Sequence, residues 1–272
     1  MPDIYQYIYL SPHYDDAVLS CGGSIHHYSQ AGQMALVITI FAAPPDAADP
    51  LSPYAAGMHA RWGTPADAVA ARQAEDRAAM HILGADYLRL KFLDCIYRGE
   101  PDEGHWFYNR DEDIFGSLHP SDVPLVGQIV EAVLELAPLG ESTLLVAPLG
   151  VGHHVDHQLT RAAAHRLQQM GCRLAFYEDY PYADPYFAGR YPYPLVEALQ
   201  AQAALNLQPQ VQYLTEADMS AKIAAVRAYA SQLDVLFDGP DAAAERLREY
   251  ALSVGQGRPA ERIWIPSAPA QG

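Results

Sequence analysis

Two short runs of histidine and aspartate hold the reactive side chains of this sequence: Ser11-Pro12-His13-Tyr14-Asp15-Asp16 near the start, and His153-His154-Val155-Asp156-His157 past the middle. Two imidazoles and a carboxylate with open positions suit catalytic zinc. The same set matches the triad of non-haem iron oxygenases. His13 and Asp16, three residues apart at an incoming turn, can face one point and share a cation. Asp15 must then point elsewhere, so it can lie beside the cation without ligating it, where a general base is needed. His154 and His157 are also three apart and can share one face of a helix's first turn. One can ligate while the other reaches a substrate, with Asp156 to orient it or stabilise its charge.

Each run follows an apolar, strand-like segment (4–10 and 143–147) and precedes a helix-like one (17–31 and 155–170). Further strands are expected over 34–41, 87–93, 172–177 and 262–265, and further helices over 66–83, 123–136, 216–233 and 241–253. Residues 43–65, with five prolines, read as a long loop; 94–122 reads as irregular; 180–194, crowded with tyrosine and proline, reads as a rim or lid. The tail 266–272 is expected to fray. This alternation predicts a three-layer α/β fold with a mostly parallel sheet, formed by one domain over 1–272. In such sheets ligands sit at the carboxyl ends of strands, and both histidine–aspartate runs fall there.

Composition narrows the function. Half of the 272 residues are hydrophobic, and 33 acidic residues against 17 basic ones give a formal charge of −16. Such a surface repels nucleic-acid backbones and anionic headgroups, so neither nucleic acid nor membrane is an expected partner. There is no apolar stretch of the length a membrane span needs, and no basic-then-apolar leader. Three widely spaced cysteines, Cys21, Cys95 and Cys172, suggest no disulfide framework and favour a reducing cytoplasm. The charge says little about small neutral substrates.

The first run, continuing through Ala17-Val18-Leu19-Ser20-Cys21-Gly22-Gly23, resembles the A-H-P-D-D-E signature of the PIG-L/LmbE-like deacetylases, and His154-Val155-Asp156-His157 resembles that family's H-x-D-H motif. Between them, Arg72 to Glu75 through Leu83-Gly84 is similar to the family's R-x-x-E…A…L-G helix. Tyr177-Glu178-Asp179-Tyr180-Pro181-Tyr182, and Lys222 through Tyr229-Ala230-Ser231-Gln232, are similar to later segments. The resemblance implies a Rossmann-like fold and one zinc ion per chain that serves to hydrolyse N-acyl groups, commonly the acetamide of N-acetylglucosaminyl compounds. It implies His13, Asp16 and His157 as metal ligands and Asp15 as general base. His154 falls on the residue that stabilises the oxyanion or protonates the leaving amine, with Asp156 as its partner. Arg72 and Asp94 fall on substrate contacts. Tyr14 and Ala17 depart from the signature's proline and glutamate, a variant closer to the branch acting on glycosylated natural products.

Other readings weigh against this one. An iron oxygenase fits the triad, but the α/β setting argues against it; a metal-bearing sugar-binding module without turnover also fits, but leaves Asp15 and Asp156 without use. Arg72 has Glu75 as an alternative surface partner. His105, Trp106 and His119 are candidates for a specificity rim, and the tyrosines at 177, 180, 182, 186, 191 and 193 for a sugar-stacking wall.

Overall fold

The structure is a computed structural model in which residues 5–64, 67–137 and 139–267 are described. The chain runs through β1 (Tyr7–Ser11), α1 (Asp16–Gln30), β2 (Ala35–Thr39), α2 (Pro53–Arg61), α3 (Ala68–Leu83) and β3 (Asp86–Arg89). A small hairpin, β4 (Gly99–Glu100) and β5 (His105–Trp106), and the short α4 (Asp111–Ile114) follow. Next come α5 (Leu125–Leu136), β6 (Leu144–Pro148), α6 (Val155–Gln169), β7 (Arg173–Tyr177) and α7 (Leu195–Ala201). The chain closes with β8 (Leu207–Tyr213), α8 (Glu216–Ala228), α9 (Ala230–Leu236), α10 (Pro240–Val254) and β9 (Ala260–Pro266).

Seven strands form one sheet in the order β3-β2-β1-β6-β7-β9-β8. The first five are parallel, with β1 centred between β2 (Tyr7 opposite Ala35) and β6 (Tyr7 opposite Leu144). β9 pairs antiparallel with both β7 and β8. Alternate residues along each strand feed two cores. Ile8, Leu10, Leu36, Ile38, Leu145 and Phe176 pack with residues of α5, α6 and α7, while Tyr9, Val37, Val146 and Tyr177 pack with residues of α1, α3, α8 and α10. A one-residue slip would carry β1 side chains to the wrong core, so the register at its carboxyl end is fixed. The expected three-layer α/β/α arrangement is therefore what forms.

The differences from the sequence reading have local causes. The proline-rich 43–65 contains α2: Ser52 accepts a hydrogen bond from the Ala55 amide and Pro53 sits in the first helical turn, a start signal that composition hid. The expected helix over 216–233 is two. It breaks at Tyr229, whose hydroxyl reaches the Tyr14 carbonyl at 2.8 Å. Segment 207–213, without an expected element, is an edge strand that accommodates Pro209 because edges tolerate a missing N–H. β3 ends at Arg89, with isolated bridges at Lys91 and Leu93 continuing towards Asp94. Residues 4 and 66 and the tail beyond 267 lie outside the described residues, although Pro266 belongs to β9.

One buried ion pair pins the helix that carries Asp16. Lys222 on α8 lies 2.6 Å from Glu261 on β9, and Glu261 also accepts hydrogen bonds from the Gly23 and Ser24 amides of α1. Gly23 leaves room for this packing: a Cβ there would stand 2.5 Å from Leu214 Cδ1. Lys222→Met would leave a buried carboxylate without its cation, a loss expected to cost about 3–5 kcal/mol, measured by denaturant unfolding.

Candidate active site

At the carboxyl end of β1 the chain turns through Pro12–Asp15 into α1, and Ser11 Oγ accepts the Ala17 amide while donating to the His13 carbonyl. This turn places His13, Asp15 and Asp16 together. At the end of β6 a glycine-bearing turn leads into α6. Gly152 has φ +81°, and a Cβ there would meet the Tyr182 ring at 2.7 Å, so the close approach of turn and ring excludes a side chain. α6 then begins with His154, Asp156 and His157 on its first turn.

The two runs meet. Asp16 Oδ2 accepts the His13 amide at 2.7 Å and lies 3.2 Å from His13 Nδ1, while Asp16 Oδ1 lies 3.3 Å from His157 Nε2. Nitrogen or oxygen atoms of His13, Asp16 and His157 all fall within 4.8 Å of one another. His157 Nε2 is buried without a hydrogen-bond partner, the mark of a lone pair kept for something else. The other nitrogen of each ring is tied outward: His13 Nε2 is 2.9 Å from Asp156 Oδ2, and His157 Nδ1 is 2.6 Å from Asp179 Oδ1. Asp179 is itself fixed by the Gly150 and Val151 amides. Imidazoles so held by outer carboxylates present one nitrogen in a set direction, as metal-binding histidines do. Two other groupings, His13–His154–Asp156 and Asp94–Cys95–Asp156, also come close, but Asp156 in both is already engaged by Arg98 at 2.6 Å and by the Cys95 amide. His13, Asp16 and His157 are thus the donor set that fits a divalent cation.

Around this set lies a cavity of about 250 Å³. Its polar side includes Asp15, Arg72, Asp94 and His154; its other walls come from α2 (Tyr54, Met58, Trp62 just beyond it), from Ile114 and Phe115, from Pro181, Tyr182 and Tyr191, and from Gln232, Val235 and Leu236 of α9. Burial pushes the Asp15 carboxyl above the usual carboxylate range, with Arg72, 3.3 Å away, acting against it. Burial, reinforced by neighbouring His13, holds His154 well below the ordinary histidine value. His154 is therefore neutral. Its Nδ1 accepts the Asp156 amide, which leaves Nε2 as the protonated nitrogen.

A family profile described as "PIG-L: GlcNAc-PI de-N-acetylase" matches residues 8–167. The chain belongs to the PIG-L family. It is 29% identical to the 2'-N-acetylparomamine deacetylase of Niallia circulans over 65% of this chain and 67% of that protein. Among solved structures, a zinc-inhibited form of teicoplanin deacetylase superposes with a TM-score of 0.79 at 30% identity, covering 98% of this chain and 99% of that one. The A40926 pseudoaglycone deacetylase gives 0.71 at 31%, covering 98% and 100%. The chain is thus an N-deacetylase-type enzyme with the α/β fold of that family. No helix among the described residues is long and apolar enough to cross a membrane.

Within this PIG-L site the structure brings together all eight residues singled out from the sequence, with two changes of detail. The Asp156 carboxylate does not pair with His154; it faces His13 and Arg98, and only its backbone amide touches His154. The reason is the helix start, where Asp156 turns inward beneath the β1 turn. Arg72 does not pair with Glu75, which instead receives the Ser231 amide and hydroxyl. Arg72 is buried between the rings of Trp62 and Tyr14 and bridges Asp15 and Asp94, the latter at 3.8 Å. Asp94 also lies 3.7 Å from His13 Nε2. His105 is exposed beside Glu100, His119 stacks on Phe107, and Trp106 lines a separate small pocket. Of the six tyrosines, Tyr182 and Tyr191 line the cavity, whereas Tyr177 and Tyr180 are core. Asp179, which holds His157, is a functional residue outside the two histidine–aspartate runs, signalled in the sequence only as a carboxylate just past the end of β7. Asp179→Ala is expected to weaken zinc binding about 10- to 100-fold, read by competition with a chelator.

Proposed function

We propose that the chain is a zinc-dependent hydrolase that removes an N-acetyl group from an amino-sugar glycoside or glycosylated natural product, with one zinc per chain. The observation that carries the reading is the convergence of His13, Asp16 and His157 on one point, with Asp15 and His154 lining the same cavity. Relatives named for N-acetylparomamine and teicoplanin support the substrate class. Aromatic rings at Trp62, Phe115, Tyr182 and Tyr191 suit the apolar face of a sugar or aglycone. A cytoplasmic small-molecule enzyme accords with the acidic charge and free cysteines. Family membership turns against the oxygenase reading, and an Asp15 raised by burial beside His154 turns against a module without turnover.

Zinc in this donor set would supply Lewis acidity, acidifying water and polarising the amide carbonyl. Asp15 accepts the proton of the attacking water, with Arg72 holding its carboxylate in place. As the carbonyl carbon becomes tetrahedral, negative charge grows on its oxygen, and the Nε2–H of His154 donates to it. The C–N bond then breaks, and the proton taken by Asp15 passes to the departing amine. Water and amide have become carboxylic acid and amine, and both catalytic residues return to their starting states.

Purified protein offered a panel of N-acetylglucosaminyl glycosides is expected to release acetate only when metal-loaded, losing activity on chelation and regaining it with zinc. Asp15→Asn is expected to lower the rate of acetate release by about 10² to 10⁴ while zinc stays bound. Acetate release untouched by this change would remove Asp15 from the mechanism.

A further inference from the structure

The segment between Asp94 and Asp122 reads as a solvated loop, yet it delivers a buried arginine to the underside of the site. Arg98 follows the short turn Cys95–Tyr97. Only 6% of Arg98 is exposed, and its guanidinium lies over the rings of Phe41 and Tyr108. Its Nε donates to Asp122 Oδ2 at 2.9 Å, and Tyr108 donates to that same oxygen at 2.7 Å. Its Nη1 donates to the Leu93 carbonyl and forms an ion pair with Asp156 Oδ1 at 2.6 Å. Asp156 has no exposure at all, and its second oxygen faces His13 Nε2. An unbroken line of contacts thus runs from the charged Asp122, Arg98 and Asp156 to the imidazole of His13.

From this line we propose that Arg98, anchored by Asp122, is a positioning residue for the metal site: it fixes the Asp156 carboxylate and, through it, the ring of His13. This inference rests on the reading of His13 as a zinc ligand. A carboxylate balanced by a guanidinium offers only acceptor atoms, so the proton it shares with His13 sits on Nε2. His13 Nδ1 is then left as a lone pair on the Asp16 side, where ligation needs it. Without Arg98, a fully buried carboxylate has no full positive charge in contact, and neither its place nor its acceptor role is secured. Arg98 does not line the cavity, so it acts from behind the site, through its contact with Asp156.

The test is zinc affinity of the full chain, by competition with a chromophoric chelator, with circular dichroism to certify folding. Arg98→Gln and Asp156→Asn are each expected to weaken zinc binding about 10- to 100-fold. The double variant is expected to be no weaker than either single one, because both act through one contact. Arg98→Lys, which keeps the charge but not the fork, is expected to restore part of the loss. A folded Arg98→Gln with parental zinc affinity, or losses that multiply in the double variant, would overturn the role. Should Arg98→Gln fail to fold, Asp122→Asn decides: weaker zinc binding supports the role, and unchanged binding overturns it. A parent chain that binds no zinc would instead overturn the metal reading itself.

Discussion

Charge out of reach of water must be met by charge or by donors, and this constraint shapes the carboxyl edge of the sheet. His13, Asp15, Asp16, Arg72, Asp94, Arg98, Asp122, Asp156, His157 and Asp179 are all buried. Moving one such ion from water into a protein interior costs several kcal/mol even after relaxation. The fold offsets that cost by alternation. Arg72 stands between Asp15 and Asp94 and Arg98 between Asp122 and Asp156, while the His157 ring, aimed for a cation, lies between Asp16 and Asp179. Backbone amides at Gly150, Val151, Cys95 and His13 complete the acceptors' partners.

The layers beneath exist to hold that alternation still. Parallel strands place the ends of β1 and β6 side by side, so His13 and Asp156, 143 residues apart in sequence, become neighbours. The Lys222–Glu261 pair fastens α1 to the antiparallel edge of the sheet. Tyr229, at the break between α8 and α9, fastens the helical layer to the turn carrying Asp15. Each fastening is polar and buried, and each would be costly to leave half made.

Much of this was legible in the sequence, and the limits have physical reasons. Apolar runs ending in histidine and aspartate announce both the sheet and the site, because strand ends are where side chains and helix N-termini converge. The cap of α3, with Asp67 accepting from Ala70 and Gly84 at φ +67°, is equally local information. Arg98 and Asp122 are different. Nothing within a few residues of either tells that they bury together 24 positions apart, since that depends on the path of an irregular segment. The Asp156 carboxylate was legible as functional but not as the partner of His13, because direction at a helix's first turn is set by what packs beneath it. β8 alternates glutamines with Leu207, Val211 and Tyr213, but the proline within it argues against a strand anywhere except at a sheet edge.

Much of the cavity wall comes from pieces that supply none of the charged partners of His13, Asp16 or His157: α2, α9, Ile114, Phe115, Tyr182 and Tyr191. The buried charges and much of the apolar wall therefore come from different elements, although Ile96, Ile114 and Phe115 of the 94–122 segment also line the cavity. Substitutions in α2, in α9 or at Tyr191 can reshape the cavity without replacing any of the buried charged groups. Lineages sharing this scaffold can diversify in what they trim while inheriting the same chemistry intact.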